Sequence, residues 1–500
     1  MNGAGSAVLD SRASSAEQCA AVSHRPGARQ VLDGLLDPGS FRSWDVAPDP
    51  VDDAGYAAAL ERAAARSGTD EAVLTGEGGI DGRAVAVVVS EFAFLGGSIG
   101  ERTADRIVAA IEEAGRRRLP LIAAPASGGT RMQEGTPAFL QMVRVTRALV
   151  RYKDLGLPYL VYLRHPTTGG VFASWGSLGH LTVAEPGALI GFLGPKVYEG
   201  LKGEPFPQGV QLAEHLREHG TVDAVLDLSG FREMASAVLA ILEPCEAAVP
   251  VPSVALGSEA PESVAPGSAA KVPDPGAWAS VLKTREPGRP GLWELLVHGF
   301  GRTVGLRGTG RGRLSSSVAV LLAELAGRPV VVVGHDRAAQ HQGAALDAAG
   351  LAQARRGMAL AESLGIPLVT VVDTPGAELS VRAEEEAIAC AIADCVADLA
   401  KLSVPSVAIL LGEGTGGGAL ALAATRWMVA AADAWLAPLP PEGASLIVQG
   451  DVDGAPRLAV SQGIGARSLA ARGLVHDVVP EDGKLLENLA WAAARRLGFH

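Results

Sequence analysis

One interval constrains this 500-residue chain more than any other feature. Pro120 and Pro367 stand 247 positions apart, and so do Pro158 and Pro405, and Gly170 and Gly417. Ala184 of AEPGALIGF and Ala431 of AADAWLAPL keep the same spacing. The side chains around these landmarks differ, so a common offset argues for two domains of one fold, duplicated or fused. Whatever architecture one half adopts, the other must reproduce.

The halves are separated by 246–276, where Pro, Ser, Ala and Gly dominate and a linker is expected. The domains then span 29–245 and 277–500, after a tail over 1–28 that lacks periodicity and reads as disordered. A short amphipathic helix is expected within 28–44, ended by the turn Asp37-Pro38-Gly39. A polar stretch follows, and the first clear strand is 84–89. From there the order is strand, helix (102–117), strand LPLIAAP, loop SGGTRMQEG, helix (137–155) and strand LPYLVYL. The second half repeats it with PVVVVGH, a helix over 351–364, IPLVTVVDTPGAE, a helix over 383–402 and VPSVAILLGEGTGGG. This alternation implies an α/β fold with a parallel sheet and covering helices in each half.

Glycines mark the candidate chemistry. Gly169 and Gly170 follow LPYLVYL where a strand should give way to a helix, and Gly416, Gly417 and Gly418 follow VPSVAILL in the same way. Backbone N–H groups at such a junction can hold an oxygen that becomes negative during reaction. A lone glycine pair would read as a tight turn. Recurrence at matching places in both halves points to ligands instead, and two holes would serve two carbonyl compounds.

Other signatures are missing: there is no G-x-S-x-G, H-E-x-x-H or G-x-x-x-x-G-K-[ST]. Gly412, Gly414 and Gly417 satisfy G-x-G-x-x-G, with Asp433 downstream, but the loop follows the third strand of its unit and the first half has no counterpart. Cys19, Cys245, Cys390 and Cys395 form no C-x-x-C pair, so neither a disulfide framework nor a zinc site is expected. The balance of 43 Lys+Arg against 55 Asp+Glu, without a long basic cluster, argues against a nucleic-acid binder. No apolar run reaches about 18 residues and the start is charged, which reads as a cytoplasmic protein that does not enter the membrane. His165, His335 and His341 read as loop or surface residues, and Arg131 either holds an anionic group or pairs with Glu134. Glu134 and Glu413 are the only carboxylates placed for a hydratase-type acid and base.

The runs GGSIGE, SGGTRMQEG, PTTGGVFAS, AEPGALIGFLGP and EHLREHGTVDAVL resemble the β subunit of bacterial acetyl-CoA carboxylase carboxyltransferase. The runs VVVGH, LVTVVDTPGAE, LGEGTGGGALA and PPEGAS look like its α subunit. The resemblance covers most of 75–485 and implies two crotonase-like domains, an acyl-CoA side first and a biotin side second. It implies that Gly169 and Gly170 face the thioester and that Gly417 and Gly418 face biotin, with Gly416 adjoining. Gly96, Gly97, Gly128, Gly129, Arg131 and Thr168 would complete the substrate site. Biotin would arrive as carboxybiotin on a separate carrier protein, charged by a separate biotin carboxylase, since the chain has no biotin-accepting M-K-M sequence. A homodimer or higher homo-oligomer is implied, with the acyl-CoA domain of one protomer against the biotin domain of another. Two departures stand out: the four-cysteine zinc ribbon of the β subunits is missing, and Glu378-Leu379-Ser380 replaces the family's Tyr-Pro-Gly, with Arg382 where glycine is usual. A biotin-independent malonyl-thioester decarboxylase and a non-catalytic acyl-CoA binder remain the competing readings.

Overall fold

A computed structural model describes residues 25–192, 199, 204–243 and 276–499. The expected linker and residues 1–24 of the expected tail lie outside these, apart from Gly276. The last four tail positions are held in place. Arg25 bonds the His165 ring at 3.1 Å, and the Ala28 N–H donates to Glu91 Oε2 at 2.7 Å.

The first half contains β1 Arg42–Ser43, β2 Val73–Ile80, β3 Arg83–Ser90, β4 Leu121–Ala124, β5 Tyr159–Leu163, β6 Thr167–Thr168, β7 Leu181–Ala184, β8 Ile190–Gly191 and β9 Ala224–Val225. Seven of these form one sheet in the order β1-β2-β3-β4-β5-β7-β9, while β6 pairs with β8. The second half contains β10 Thr303–Leu306, β11 Val318–Leu325, β12 Arg328–His335, β13 Leu368–Thr374, β14 Ser406–Thr415, β15 Trp427–Ala431, β16 Trp435–Ala437 and β17 Asp477–Val479. Its sheet runs β10-β11-β12-β13-β14-β15-β17, with β16 alongside the end of β14. In each sheet the first three strands are antiparallel and the rest parallel. The α/β class with two sheet-bearing units is therefore as expected.

The repeat is visible in the pairing itself. Bridges Ile99–Thr130 and Leu346–Ala377 lie 247 apart, as do Ser127–Thr167 and Thr374–Gly414. After the glycine loops the interval drops by one: Leu163 pairs Ala184 while Leu410 pairs Ala430, so Ala430 rather than Ala431 answers Ala184. The first half spends an extra residue where helix Gly169–Phe172 gives way to the turn Trp175–Ser177, whereas the second continues as one helix, Gly416–Ala423.

Two elements depart from the sequence reading. The polar stretch holds helix Ala54–Ser67 and strand β2, whose three glycines hide it from any alternation pattern. Those glycines answer close neighbours: a Cβ on Gly76 would lie 2.3 Å from the Arg42 carbonyl oxygen, and one on Gly78 would lie 2.6 Å from Leu36 Cδ1. The helix expected over 383–402 is two, Val381–Glu385 and Ile388–Lys401, broken at Ala387 with φ +57.

The halves do not keep separate cores. Helix Leu228–Leu242 of the first half packs on β10, β11 and β12, and one buried apolar cluster contains Leu160, Leu181 and Val238 together with Val304, Leu322 and Leu364. Asp223 reinforces the joint, accepting 2.8 and 2.9 Å bonds from Arg356 and a 2.9 Å bond from the Arg307 N–H.

Candidate functional site

Three loops at the carboxyl ends of β3, β4 and β5 meet in the first half. Their backbones are stitched together directly: Gly128 N–H to Gly96 O at 2.9 Å, Ile99 N–H to Gly129 O at 2.9 Å and Thr168 N–H to Ser127 O at 2.9 Å. Ser127 Oγ accepts from Gly129 N–H at 3.0 Å. No side chain fits at the tightest of these approaches: a Cβ on Gly97 would sit 2.0 Å from the Ala126 carbonyl oxygen. Gly96, Gly97, Gly128, Gly129, Thr168, Gly169 and Gly170 thus come together as one surface. Gly169, at φ +61, turns the chain into the helix that follows.

Counting amides sharpens the donor set. The Gly169 N–H donates to Phe192 O at 3.0 Å, and the Gly97 and Gly129 N–H groups are also engaged. Gly169 is therefore a turn former, and its amide is spent on a protein carbonyl. Gly170 is the second residue of helix Gly169–Phe172, whose first-turn amides have no carbonyl within the helix. Among the described residues the Gly170 N–H makes no backbone hydrogen bond outside its helix.

The second half repeats the arrangement. Thr374 Oγ1 accepts from Gly376 N–H at 3.1 Å, as Ser127 does for Gly129, and Glu378 N–H reaches Leu346 O at 2.9 Å, as Arg131 N–H reaches Ile99 O. Gly416 at φ +61 starts helix Gly416–Ala423, which puts Gly417 and Gly418 in its first turn with amides lacking intrahelical partners. The start of this helix is pressed onto the neighbouring loop, since a Cβ on Gly418 would lie 2.9 Å from Ala377 N.

Arg131 does not serve the site as expected. Its side chain is 0% exposed and its guanidinium contacts Glu71 at 2.6 Å, Ser98 O at 2.8 Å and Thr103 Oγ1 at 3.0 Å. Glu134 lies farther off, at 3.7 Å, and accepts from the Glu101 N–H and the Tyr56 hydroxyl. Burial opposes the Arg131 charge and Glu71 restores it, holding the guanidinium above its usual range on balance. Arg131 thus ties Ser98 and Thr103 to the buried Glu71 through internal bonds. Sequence reasoning missed Glu71, because nothing in its local pattern marks a carboxylate that will be enclosed.

His335 is also not at the surface. It ends β12 fully buried, its pKa driven down to about 3 by that burial, and its Nδ1 faces the Asp373 N–H at 3.4 Å. His165 is half-buried and its Nδ1 accepts from the Leu189 N–H at 3.0 Å. His341 is exposed, as expected. Asp373 is enclosed as well. Burial raises it to about 6, its Oδ1 accepts from the Glu413 N–H at 3.0 Å and its Oδ2 lies 3.0 Å from Arg337 Nε. Glu413 is buried and tied to Arg285 at 2.8 Å. With Glu134 and Glu413 both committed to internal partners, a carboxylate acid–base pair of the hydratase kind has no free members. Among the described residues there is no group of three or more His, Cys, Asp or Glu suited to a metal ion. None of the described helices is long and apolar enough to cross a membrane.

The altered loop is ordered by its own contacts. Ser380 Oγ caps helix Val381–Glu385 through the Ala383 N–H at 3.0 Å, and Arg382 contacts Glu386 at 2.9 Å. Leu379, at 98% exposed, points away from the chain.

Fold and site together define a class: a duplicated α/β protein whose two halves each start a helix at a glycine turn beside the carboxyl ends of the sheet. Residues 25–453 match the carboxyl transferase domain, and the chain belongs to that family. It is 53% identical over 454 residues to a probable biotin-dependent acyl-coenzyme A carboxylase beta3 subunit of Mycobacterium bovis, covering 90% of this chain and 88% of that one. It is 38% identical over 472 residues to the acetyl-coenzyme A carboxylase carboxyl transferase subunits beta/alpha of Saccharopolyspora erythraea, covering 91% and 81%. A transcarboxylase 12S crystal structure with methylmalonyl-coenzyme A and methylmalonic acid bound superposes with a TM-score of 0.76 at 21% identity, over 97% of this chain and 91% of the other, which supports the shared fold.

Proposed function

We propose that this chain is the carboxyltransferase of a biotin-dependent acyl-CoA carboxylase, moving a carboxyl group from carboxybiotin on a separate carrier protein to an acyl-CoA. Acetyl-CoA is the acceptor of choice, with a malonyl-CoA type product. The observation that carries this reading is the pair of helix-start glycine turns at equivalent places, with Gly170 in one half and Gly417 and Gly418 in the other.

The residues present fit biotin, because a ureido oxygen needs N–H donors and no charged partner. Biotin when bound supplies the carboxyl group and the base. The chain's own part is electrostatic. The Gly170 N–H holds the thioester oxygen as the α-carbon loses its proton, and the Gly417 and Gly418 amides hold the carbonyl oxygen of the donor. Such fixed donors need no reorganisation as charge develops, and losing one typically costs ~10²–10³ in kcat. Gly96, Gly97, Gly128, Gly129, Thr168 and Gly416 shape the walls. No side-chain base is needed, consistent with Glu134 and Glu413 being occupied elsewhere.

A second copy completes the cleft in this reading. Helix Thr136–Lys153 adjoins Gly170 through Met142, and its outer face leaves Phe139 61% and Leu140 55% exposed. Helix Pro441–Gln449 of the second half leaves Ile447 73% exposed, and Leu379 and Val381 of that half are exposed as well. Facing apolar surfaces of this kind suit association of one protomer's first half with its partner's second half. A biotin carboxylase and a carrier protein are the remaining partners.

The test supplies purified chain with carboxylated biotin carrier and acetyl-CoA, propionyl-CoA or longer acyl-CoA, and follows carboxyl transfer. Transfer to an acyl-CoA is expected, and the preferred chain length names the acceptor. Release of CO2 from malonyl-CoA that ignores biotin would replace the proposal with a decarboxylase, and thioester binding without turnover would replace it with a non-catalytic binder.

A further inference from the structure

A cleft not used by this chemistry lies between the two halves of one chain. It encloses about 590 Å³ and is lined by Lys153, Phe172, Leu178 and His180 from the first half and by Arg311, Arg313, Arg356 and Leu360 from the second. Most of its lining lies away from the glycine loops, and Phe172, which ends the short helix begun by Gly169 and Gly170, is where the two approach. Helix Thr136–Lys153 passes Gly170 at Met142, and the run from there carries Lys153 about 16 Å farther along the axis. His180 likewise precedes β7, at the opposite end of the sheet from the loops that follow β4 and β5.

The charges in the cleft do not cancel. Arg356 is taken by Asp223 at 2.8 Å, and Arg355 by Asp394 and Asp398, each at 2.6 Å. Those pairs explain two of the five cations. Lys153 donates to the Leu178 carbonyl at 3.0 Å, and among the described residues neither it nor Arg311 nor Arg313 has a carboxylate partner. Burial, then the nearby Arg311, pulls the Lys153 ammonium below its usual range. His180, bonded to Ser363 Oγ at 2.9 Å, is pushed to about 3 by burial and stays neutral. Converging like charges without counter-charge destabilise a folded protein, and a bound anion removes that cost.

The loop carrying the two arginines is ordered before any ligand arrives. Gly308, Gly310 and Gly312 have φ of +61, +68 and +77, and Thr309 Oγ1 accepts from the Arg311 and Arg313 N–H groups at 3.1 and 3.3 Å. The Gly310 N–H fastens the loop to Gly220 O of the first half at 2.8 Å. The backbone bearing these two exposed arginines is thus fixed at the mouth of a cleft whose lining is part apolar, with Phe172, Leu178 and Leu360.

We propose that this cleft binds a phosphorylated small molecule, its phosphate or diphosphate held by Lys153, Arg311 and Arg313 and its organic part lying against Phe172, Leu178 and Leu360. Guanidinium forks match phosphate oxygens, and the volume lies within the ~300–1,000 Å³ usual for small-molecule sites. Because the site is built from both halves across their joint, its occupancy would stiffen the relation between them.

The experiment titrates the full-length protein calorimetrically with ADP, inorganic pyrophosphate and adenosine, and separately with acetyl-CoA. ADP or pyrophosphate is expected to bind, and R311A/R313A and K153M should each weaken that binding about tenfold or more. The melting temperature of R311A/R313A, whose changes lie on exposed loop positions, should match the parent, as should its acetyl-CoA affinity. Tighter binding of ADP than of pyrophosphate supports the apolar floor as part of the site, and equal binding supports phosphate capture. The proposal is overturned if neither ligand binds, if the variants bind as the parent does, or if R311A/R313A loses acetyl-CoA affinity. The last result would make the cleft part of the acyl-CoA site.

Discussion

Single residues in this chain divide into those whose role is local and those whose role is set by a distant partner. Gly170 belongs to the first kind. A Cβ there would meet the end of the Met142 side chain at 3.2 Å, which can yield, so Gly170→Val should fold but obstruct the donor amide. Carboxyl transfer to acyl-CoA is expected to fall by ~10²-fold or more while the circular dichroism spectrum is retained; unchanged turnover would move the thioester elsewhere. Arg131 belongs to the second kind. Arg131→Met leaves the buried Glu71 carboxylate with only the more distant Arg102, at 3.7 Å, and removing one member of a buried ion pair costs up to about 3–5 kcal/mol. Urea unfolding should show that loss; a variant as stable as the parent but weak in acyl-CoA binding would return Arg131 to the ligand. The buried pair His335 and Asp373 gives a pH signature. His335 goes from 6.5 in the unfolded chain to about 3, so the unfolded chain takes up more protons and stability falls as pH drops below about 6.5. Asp373 goes from 3.8 to about 6, so the folded chain takes up more protons and stability rises as pH drops from about 6 to about 4. The two slopes oppose each other there. Asp373→Asn should therefore lose stability more steeply with acid than the parent between pH 6 and 4, as read from denaturation midpoints.

At the scale of elements, strand β2 shows what pattern reading overlooks. Its run VLTGEGGI has no alternation, because glycine appears where the chain must pass under Leu36 and the Arg42 carbonyl. Gly78→Val should drive a branched side chain into Leu36, and helix Ala28–Leu35 would have to shift; overpacking of this kind costs about 1–3 kcal/mol. Thermal unfolding measures it, and an unshifted midpoint would mean that the helix moves freely. The helices after the glycine loops were easier to read, since glycine directly after an apolar strand is a local signal. The split between Val381–Glu385 and Ile388–Lys401 was not legible, because Ala387 adopts φ +57 without any residue type announcing it. Charged and apolar residues continue helical spacing across the break.

For the whole molecule the decisive feature is that neither half stands alone. Helix Leu228–Leu242 lies on the second sheet, so the linker divides the sequence but not the core. The exposed apolar faces extend the same logic to a second copy. If the proposed association of two copies holds, Phe139→Asp combined with Ile447→Asp should shift the sedimentation of the protein toward the monomer and reduce carboxyl transfer. A fully active monomer would place both loops within one chain. Much of this plan was legible from a repeat interval of 247 and from glycines that recur with it, down to matched bridges at Ile99–Thr130 and Leu346–Ala377. Glycine placement obeys a local rule: a positive φ or a close backbone approach excludes a Cβ wherever the rest of the chain lies. The spending of the Gly169 amide on Phe192, the enclosure of Arg131 by Glu71, the burial of His335 and the merging of the two cores obey no local rule. Each depends on a partner many residues away, and only packing in three dimensions decides which groups lose their water and what they meet in its place.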